Sequence, residues 1–283
     1  MRMITRFILS ILLTAALFPR VVNAKQTSEI SVNLKLDYNS YVAGERIRGI
    51  VDIANMSPNP IDVGRPNSPD RFIIEIFRSV DQSQLTRVNK HPFVADFTLQ
   101  PNEGQKLETF LGDHYGLRTS GTYLAKPVLI HDGMRFEGRI RSFDIVPGMA
   151  AGGALQMFSN HEGLRREFSL LTWSRNGTQH LFITAHDSGP YERTWPTTDL
   201  GDFMRVTKPT ISVMPTGEVI VLHRVDPDNF IRSEFWSVKN DIEFHRRELV
   251  QDPETAGTKR IREIYKDSGG VKPKEHSWWK FWQ

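Results

Sequence analysis

From Ile30 to Val146 apolar and polar residues alternate in short runs separated by turn-forming residues, a period of two that suits extended strands and not helices. In ISVNLKLDY the residues Ile30, Val32, Leu34 and Leu36 share one face, and in ERIRGIVDIAN the same holds for Ile47, Gly49, Val51 and Ile53. RFIIEIF, QKLETFL, GTYLAKPVLI and RFEGRIRSFDIV continue the series, and a seventh strand is expected near Phe93 to Leu99. Ala43-Gly44, SPNP, Pro101-Asn102-Glu103-Gly104 and His131-Asp132-Gly133 supply turns between them. About seven short strands over some 115 residues predict a Greek-key sandwich.

Leu117, Gly121 and Tyr123 stand just before an apolar strand in the L-x-x-x-G-x-Y arrangement of a tyrosine corner, where the phenol hydroxyl bonds back to upstream backbone. Where antibody domains place a cysteine two residues later, this chain has Ala125. With YVAGERIRGIVDIANMSPNPI, in which a Y-x-x-G-E start leads into a strand ending in Asn, residues 28 to 147 resemble the immunoglobulin-like modules of bacterial exported proteins. The resemblance implies a β-sandwich and carries no activity with it.

The Gly- and Ala-rich PGMAAGGALQ marks a composition break, so residues 148–156 are read as a linker and 157–251 as a second antiparallel β domain. There LRREFSLLTWS meets TQHLFITAH across Arg175-Asn176-Gly177, and Asn-Gly between alternating runs is a strong hairpin signal. TISVMPTGEVIVLHR turns on Pro215-Thr216-Gly217, and FIRSEFWSVKN and IEFHRRELV complete a meander. A small sandwich or two propeller-like blades would fit it, but two blades cannot close a ring and no fixed-period repeat is present, so a compact sheet packed against its own loop or against the first domain is expected. From Asp252-Pro253-Glu254 the period changes. Ile261, Ile264 and Tyr265 fall at helical spacing, and Gly269-Gly270 closes a short helix before the tail HSWWKFWQ.

The opening residues 1–24 have a basic start, an apolar run from Phe7 to Phe18 and a small-residue exit at Val22-Asn23-Ala24, the parts of a cleaved secretory signal. An apolar run that short falls below the roughly 20 residues that cross a bilayer. These residues carry Arg2, Arg6 and Arg20 and no acid, so a whole-chain charge of +3 becomes zero without them, and no partnership with nucleic acid is expected. Charge is divided along the rest. From Lys259 onward seven bases face three acids, leaving +4, and the preceding body carries −4. The chain has no cysteine, which excludes a disulfide framework, a thiolate metal site and a Cys nucleophile. Export to the periplasm or beyond, with attachment to the envelope, is the expectation.

Two sets of residues carry candidate function. The stretch SGPYERTWPTTDLGDF interleaves Tyr191, Trp195 and Phe203 with charges, a composition suited to a contact surface if the rings face out and to a plug for the sheet if they face in. The tail sets Trp278, Trp279, Phe281 and Trp282 beside Lys272, Lys274 and Lys280, which fits docking on this body, on a protein or envelope-surface partner, or on an anionic membrane interface. Burying three or four such rings is worth on the order of 10 kcal/mol before ordering costs.

An enzyme needs converging groups. The candidates are His186, His223, Asp187 and Asp199, which would serve a hydrolase or carbohydrate-active enzyme if at least two met in one cleft. No G-x-S-x-G elbow is present, and Asp226-Pro227-Asp228-Asn229 lacks the central Gly and distal Glu of a calcium loop, so it reads as a turn. We therefore expect an all-β, non-enzymatic binding or structural protein with no cofactor and no metal.

Overall fold

The computed structural model describes residues 29–64, 68–158, 163–189 and 192–251. The segments read as a signal (1–24) and as a C-terminal helix and tail (252–283) lie outside them. The described chain is nearly all β, and among the described residues no helix is long and apolar enough to cross a membrane. This says nothing of attachment by other means.

The first half runs β1 (Ile30–Leu36), β2 (Ser40–Val42), β3 (Arg48–Asn55), β4 (Ile61–Val63), β5 (Arg71–Arg78), β6 (Phe97–Leu99), β7 (Glu103–Phe110), one helical turn α1 (Leu111–His114), β8 (Gly121–His131), β9 (Met134–Glu137) and β10 (Arg141–Val146). One sheet is β1-β3-β7, a second is β2-β10-β8-β5 with β9 on β8, and β4 pairs with β6 alone. Pairing is antiparallel except between β2 and β10. The alternation in the sequence sets the faces. Val32 and Leu34 of β1 lie opposite Ile53 and Val51 of β3, and Ile74, Ile76, Tyr123, Phe143 and Ile145 meet them from the other sheet in one core. Tyr123 Oη donates to the Thr119 carbonyl at 2.8 Å, the bond that the L-x-x-x-G-x-Y spacing predicts.

Two details depart from the strand pattern. RFEGRIRSFDIV, read as one strand, divides into β9 and β10 at Gly138, where an added Cβ would lie 2.2 Å from the Val32 carbonyl oxygen. The backbone passes too close to β1 for a side chain, and the strand breaks there. Phe93 and Val94 are buried without strand pairing, so the seventh strand is only Phe97–Leu99.

The second half continues with β11 (Met149–Met157), β12 (Arg165–Arg175), β13 (Thr178–Ser188), β14 (Arg193–Thr194), β15 (Thr198–Asp202), β16 (Thr210–Val213), β17 (Glu218–Arg224), β18 (Asn229–Val238) and β19 (Asp241–Gln251). β11-β12-β13 form a sheet whose last strand carries both β14 and β15, and β16 to β19 form a four-stranded meander. Phe168, Leu170, Leu181 and Ile183 of the first sheet pack against Val219, Val221 and Phe235 of the second, closed by Trp195, Leu200 and Phe203. Asn176 and Gly177 both have positive φ, as a two-residue hairpin turn requires, and Arg175 pairs with Thr178.

The expected linker is a strand. Residues 149–157 are β11, paired along their length with β12, and the small residues serve packing in place of flexibility. The register shifts between Ala150 and Gly152, and a Cβ on Gly153 would lie 2.7 Å from the Phe168 carbonyl oxygen. Gln156 closes the segment by bonding both the hydroxyl and the carbonyl of Ser237 on β18.

Candidate functional site

The hairpin register decides where the charged residues go. Counting outward from the Asn176-Gly177 turn, Arg166 on β12 falls opposite Asp187 on β13, both facing the space between the two sheets. Arg166 is fully buried. Its Nε and Nη2 donate to the two carboxylate oxygens of Asp187 at 2.6 and 2.9 Å, and Nη1 donates to Ser237 Oγ at 2.8 Å. The same guanidinium donates to the carbonyls of Val238, Lys239 and Asp241, which make up the β18–β19 turn. One side chain thus ties the two sheets together. Burial acts to raise the Asp187 carboxyl, but bonds from Arg166 and from Trp195 Nε1 outweigh it and hold that carboxyl below the ordinary range.

Trp195 and Phe203 are buried, not displayed. The stretch read as a polar loop forms β14 and β15 on the edge of β13, which turns both rings into the inter-sheet core. The Trp195 ring lies 4.5 Å from the Arg166 guanidinium and 3.7 Å from that of Arg193, a cation–π pair on a desolvated indole. As a displayed contact surface these two residues are corrected to core. Tyr191 and the tail residues Trp278, Trp279, Phe281 and Trp282 lie outside the described residues.

A second charged cluster joins the two halves. Arg175, at the end of β12, donates to Glu45 between β2 and β3 and to Asp199 of β15 at 2.9 Å, and its guanidinium lies 4.2 Å from the Tyr38 ring. Asp199 also meets His180 Nδ1 at 3.0 Å. Around it Thr197 N donates to the Gly44 carbonyl at 2.9 Å, Thr197 Oγ1 to the Ala43 carbonyl at 2.7 Å, and Trp173 Nε1 to Ser40 Oγ at 3.1 Å. Burial raises the Glu45 carboxyl above its usual value, against the opposing bond from Arg175. Arg166, Arg175 and Glu45 were not singled out by sequence, although the hairpin register carried the Arg166–Asp187 pairing.

The four candidate catalytic residues do not converge. His186 is exposed and bonds Thr194 Oγ1, Asp187 is held by Arg166, Asp199 is shared by Arg175 and His180, and His223 is buried between the sheets against Phe203. Among the described residues no hydrogen bond joins any two of the four, so the arrangement gives no support to the hydrolase reading. The Asp226 carboxylate accepts from Asp228 N and Asn229 Nδ2, as a turn-forming aspartate does.

His223 has a measurable consequence. Burial, with the nearby Arg247 charge adding to it, lowers its imidazole to about 4. The folded protein therefore holds it neutral while the unfolded chain protonates it near 6.5, so its stability contribution is complete above pH 6.5 and is lost on acidification toward pH 4. That loss is worth about 3 kcal/mol. We expect chemical denaturation to show it in the wild type and His223→Leu to flatten the pH 6.5 to 4 limb. An equal slope in the variant would assign the acid limb to other groups.

Beside Trp195 an apolar cleft of about 150 Å³ opens between the two sheets, lined by Phe168, Ile183, Trp195, Pro196, Phe235 and Phe244 among others. Phe244, on β19, is 46% exposed at this cleft and sets its edge against Phe235, with ring centroids 5.5 Å apart. A void of that size accepts a single benzene-sized group, and it lies below the roughly 300 to 1,000 Å³ of ordinary small-molecule sites.

No family model and no curated protein matches this chain. Among solved structures, it is similar to Spo0M, a sporulation control protein from Bacillus subtilis, at 10% identity over 85% of this chain and 97% of the other, with a TM-score of 0.29. A likeness of that degree bears on neither fold nor function.

Proposed function

We propose that this is an exported, non-enzymatic binding protein of the cell envelope or extracellular space, in which an immunoglobulin-like sandwich precedes a second β unit that holds a side chain of a protein partner. The observation that carries the reading is the ring-sized apolar cleft beside the half-exposed Phe244, in a molecule whose candidate catalytic carboxylates are engaged in ion pairs. The immunoglobulin-like part draws support from the facing sheets β1-β3-β7 and β2-β10-β8-β5, the parallel β2–β10 pair and the Tyr123 bond. Export rests on the sequence of residues 1–24, and envelope attachment on the basic, aromatic tail.

Two variants separate the surfaces. Deleting residues 271–283 is expected to abolish envelope or vesicle association while leaving the β-sheet circular dichroism unchanged. Phe244→Ser is expected to keep the fold and weaken capture of the envelope partner at least tenfold, since a central buried aromatic anchor is worth about 2 kcal/mol or more. Wild-type capture by the Phe244 variant would remove the cleft from the reading, and unchanged fractionation of the deletion would remove the tail.

A further inference from the structure

We infer that Asp70, His131 and Asp132 form a binding site for a zinc-type divalent cation at one end of the first half, distant in sequence from the cleft and independent of the function proposed for it. Each of the three offers a ligand atom, and these atoms all lie within 4.8 Å of one another. Asp70 enters just before β5, whereas His131 ends β8 and Asp132 begins the turn into β9. Asp132 and Gly133 both have positive φ, so an Asp-Gly hairpin turn sets the aspartate beside the imidazole. Three positions from two separate parts of the chain are thereby brought to one point.

The charge and hydrogen-bond inventory favours a bound cation. Asp70 is 6% exposed, and its Oδ2 accepts from Asp62 N at 2.9 Å and faces His131 Nδ1 at 3.0 Å. Its other oxygen, Oδ1, is buried with no hydrogen-bond partner among the described residues. A buried carboxylate oxygen without a donor is costly and calls for a specific explanation such as an ion. Among the described residues neither Asp70 nor Asp132 is paired with a lysine or arginine, and their only ion-pair partner is the imidazole between them.

The imidazole is already placed as a metal ligand is usually placed. His131 Nδ1 and Asp70 Oδ2 stand 3.0 Å apart, near the spacing of two ligand atoms on one ion, and Nε2 lies 3.4 Å from Asp132 Oδ2. On a tetrahedral ion with bonds of about 2.0 to 2.1 Å, ligand atoms sit roughly 3.3 Å apart. Closure thus needs a shift on the order of 1 Å, which falls to Asp132 at the turn because its side chain is 55% exposed. One nitrogen and two carboxylates favour zinc or a neighbouring transition ion over calcium or magnesium, whose sites are built from oxygen alone. Water fills the remaining positions.

The test uses the purified full chain, stripped of metal and titrated with Zn²⁺ by calorimetry and thermal unfolding, with Co²⁺ absorption as a spectroscopic readout. One site per chain, a rise in the unfolding midpoint and a visible Co²⁺ band are expected. Asp132→Asn is the main variant, because asparagine tolerates positive φ and the residue is exposed, so the fold is retained. It should weaken Zn²⁺ at least tenfold and remove the Co²⁺ band. His131→Gln and Asp70→Asn serve as second variants wherever they fold, with the same loss expected. Wild-type Zn²⁺ affinity in the folded Asp132 variant, no saturable binding in the wild type, or stabilisation by Ca²⁺ and none by Zn²⁺ would each overturn the inference.

Discussion

Arg166→Met is expected to lower unfolding stability by about 3 to 5 kcal/mol, enough to consume a large part of what a domain of this kind possesses. The reason is the number of groups that depend on one guanidinium. Its removal leaves the buried Asp187 carboxylate without its cation and withdraws donors from Ser237 and from the carbonyls of Val238, Lys239 and Asp241. Arg166→Lys keeps the charge, but three donors on a point cation do not reproduce a planar fork, so an intermediate loss is expected. In Arg166→Met/Asp187→Leu the stranded charge is gone and part of the stability returns. Recovery stays incomplete because the β18–β19 turn still lacks its donor. Urea denaturation midpoints distinguish these cases. Full recovery in the double variant would show that the turn contacts contribute nothing.

Arg175→Met is expected to cost a similar amount at neutral pH, about 3 to 5 kcal/mol, by stranding Glu45 between the two halves. Its signature is pH dependence. Burial already raises the Glu45 carboxyl, and without Arg175 the opposing bond disappears, so the folded form takes up a proton more readily than the unfolded one. Stability of the variant therefore falls as pH rises above the ordinary carboxyl range of about 4.3. Adding Glu45→Gln removes the charge and should restore most of the loss at pH 7. Hydrogen exchange at Thr197 N, bonded to the Gly44 carbonyl across the junction, should quicken in the single variant and slow again in the double one. A single variant whose stability does not change between pH 5 and 7 would show that Glu45 is not stranded.

The legible part of this protein is the part encoded by local period. Alternation in ISVNLKL and RFIIEIF specifies which side chains face the core, and the structure buries Ile30, Val32, Leu34, Phe72, Ile74 and Ile76 accordingly. Asn176-Gly177 specifies a hairpin, and the hairpin's register specifies that Arg166 meets Asp187. Composition was less reliable than period. Gly152 and Gly153 suggested a linker because small residues serve flexible chain and close strand approach equally, and only the neighbouring Phe168 carbonyl decides between them. Trp195 and Phe203, set among charges, suggested a displayed surface, yet pairing of β14 and β15 with β13 turns them inward.

The sequence by itself determined the β class, the faces of the strands and the main turns, because backbone pleat and turn dihedrals depend on residues a few positions apart. Only the tertiary structure decided that Glu45 meets Arg175, that His223 is buried between two sheets, and that Asp70 reaches His131. Glu45 and Arg175 are 130 residues apart and Asp70 and His131 are 61 apart. No local period links such pairs. Their energies come from desolvation and charge at a shared point, which exists only once the sheets have packed.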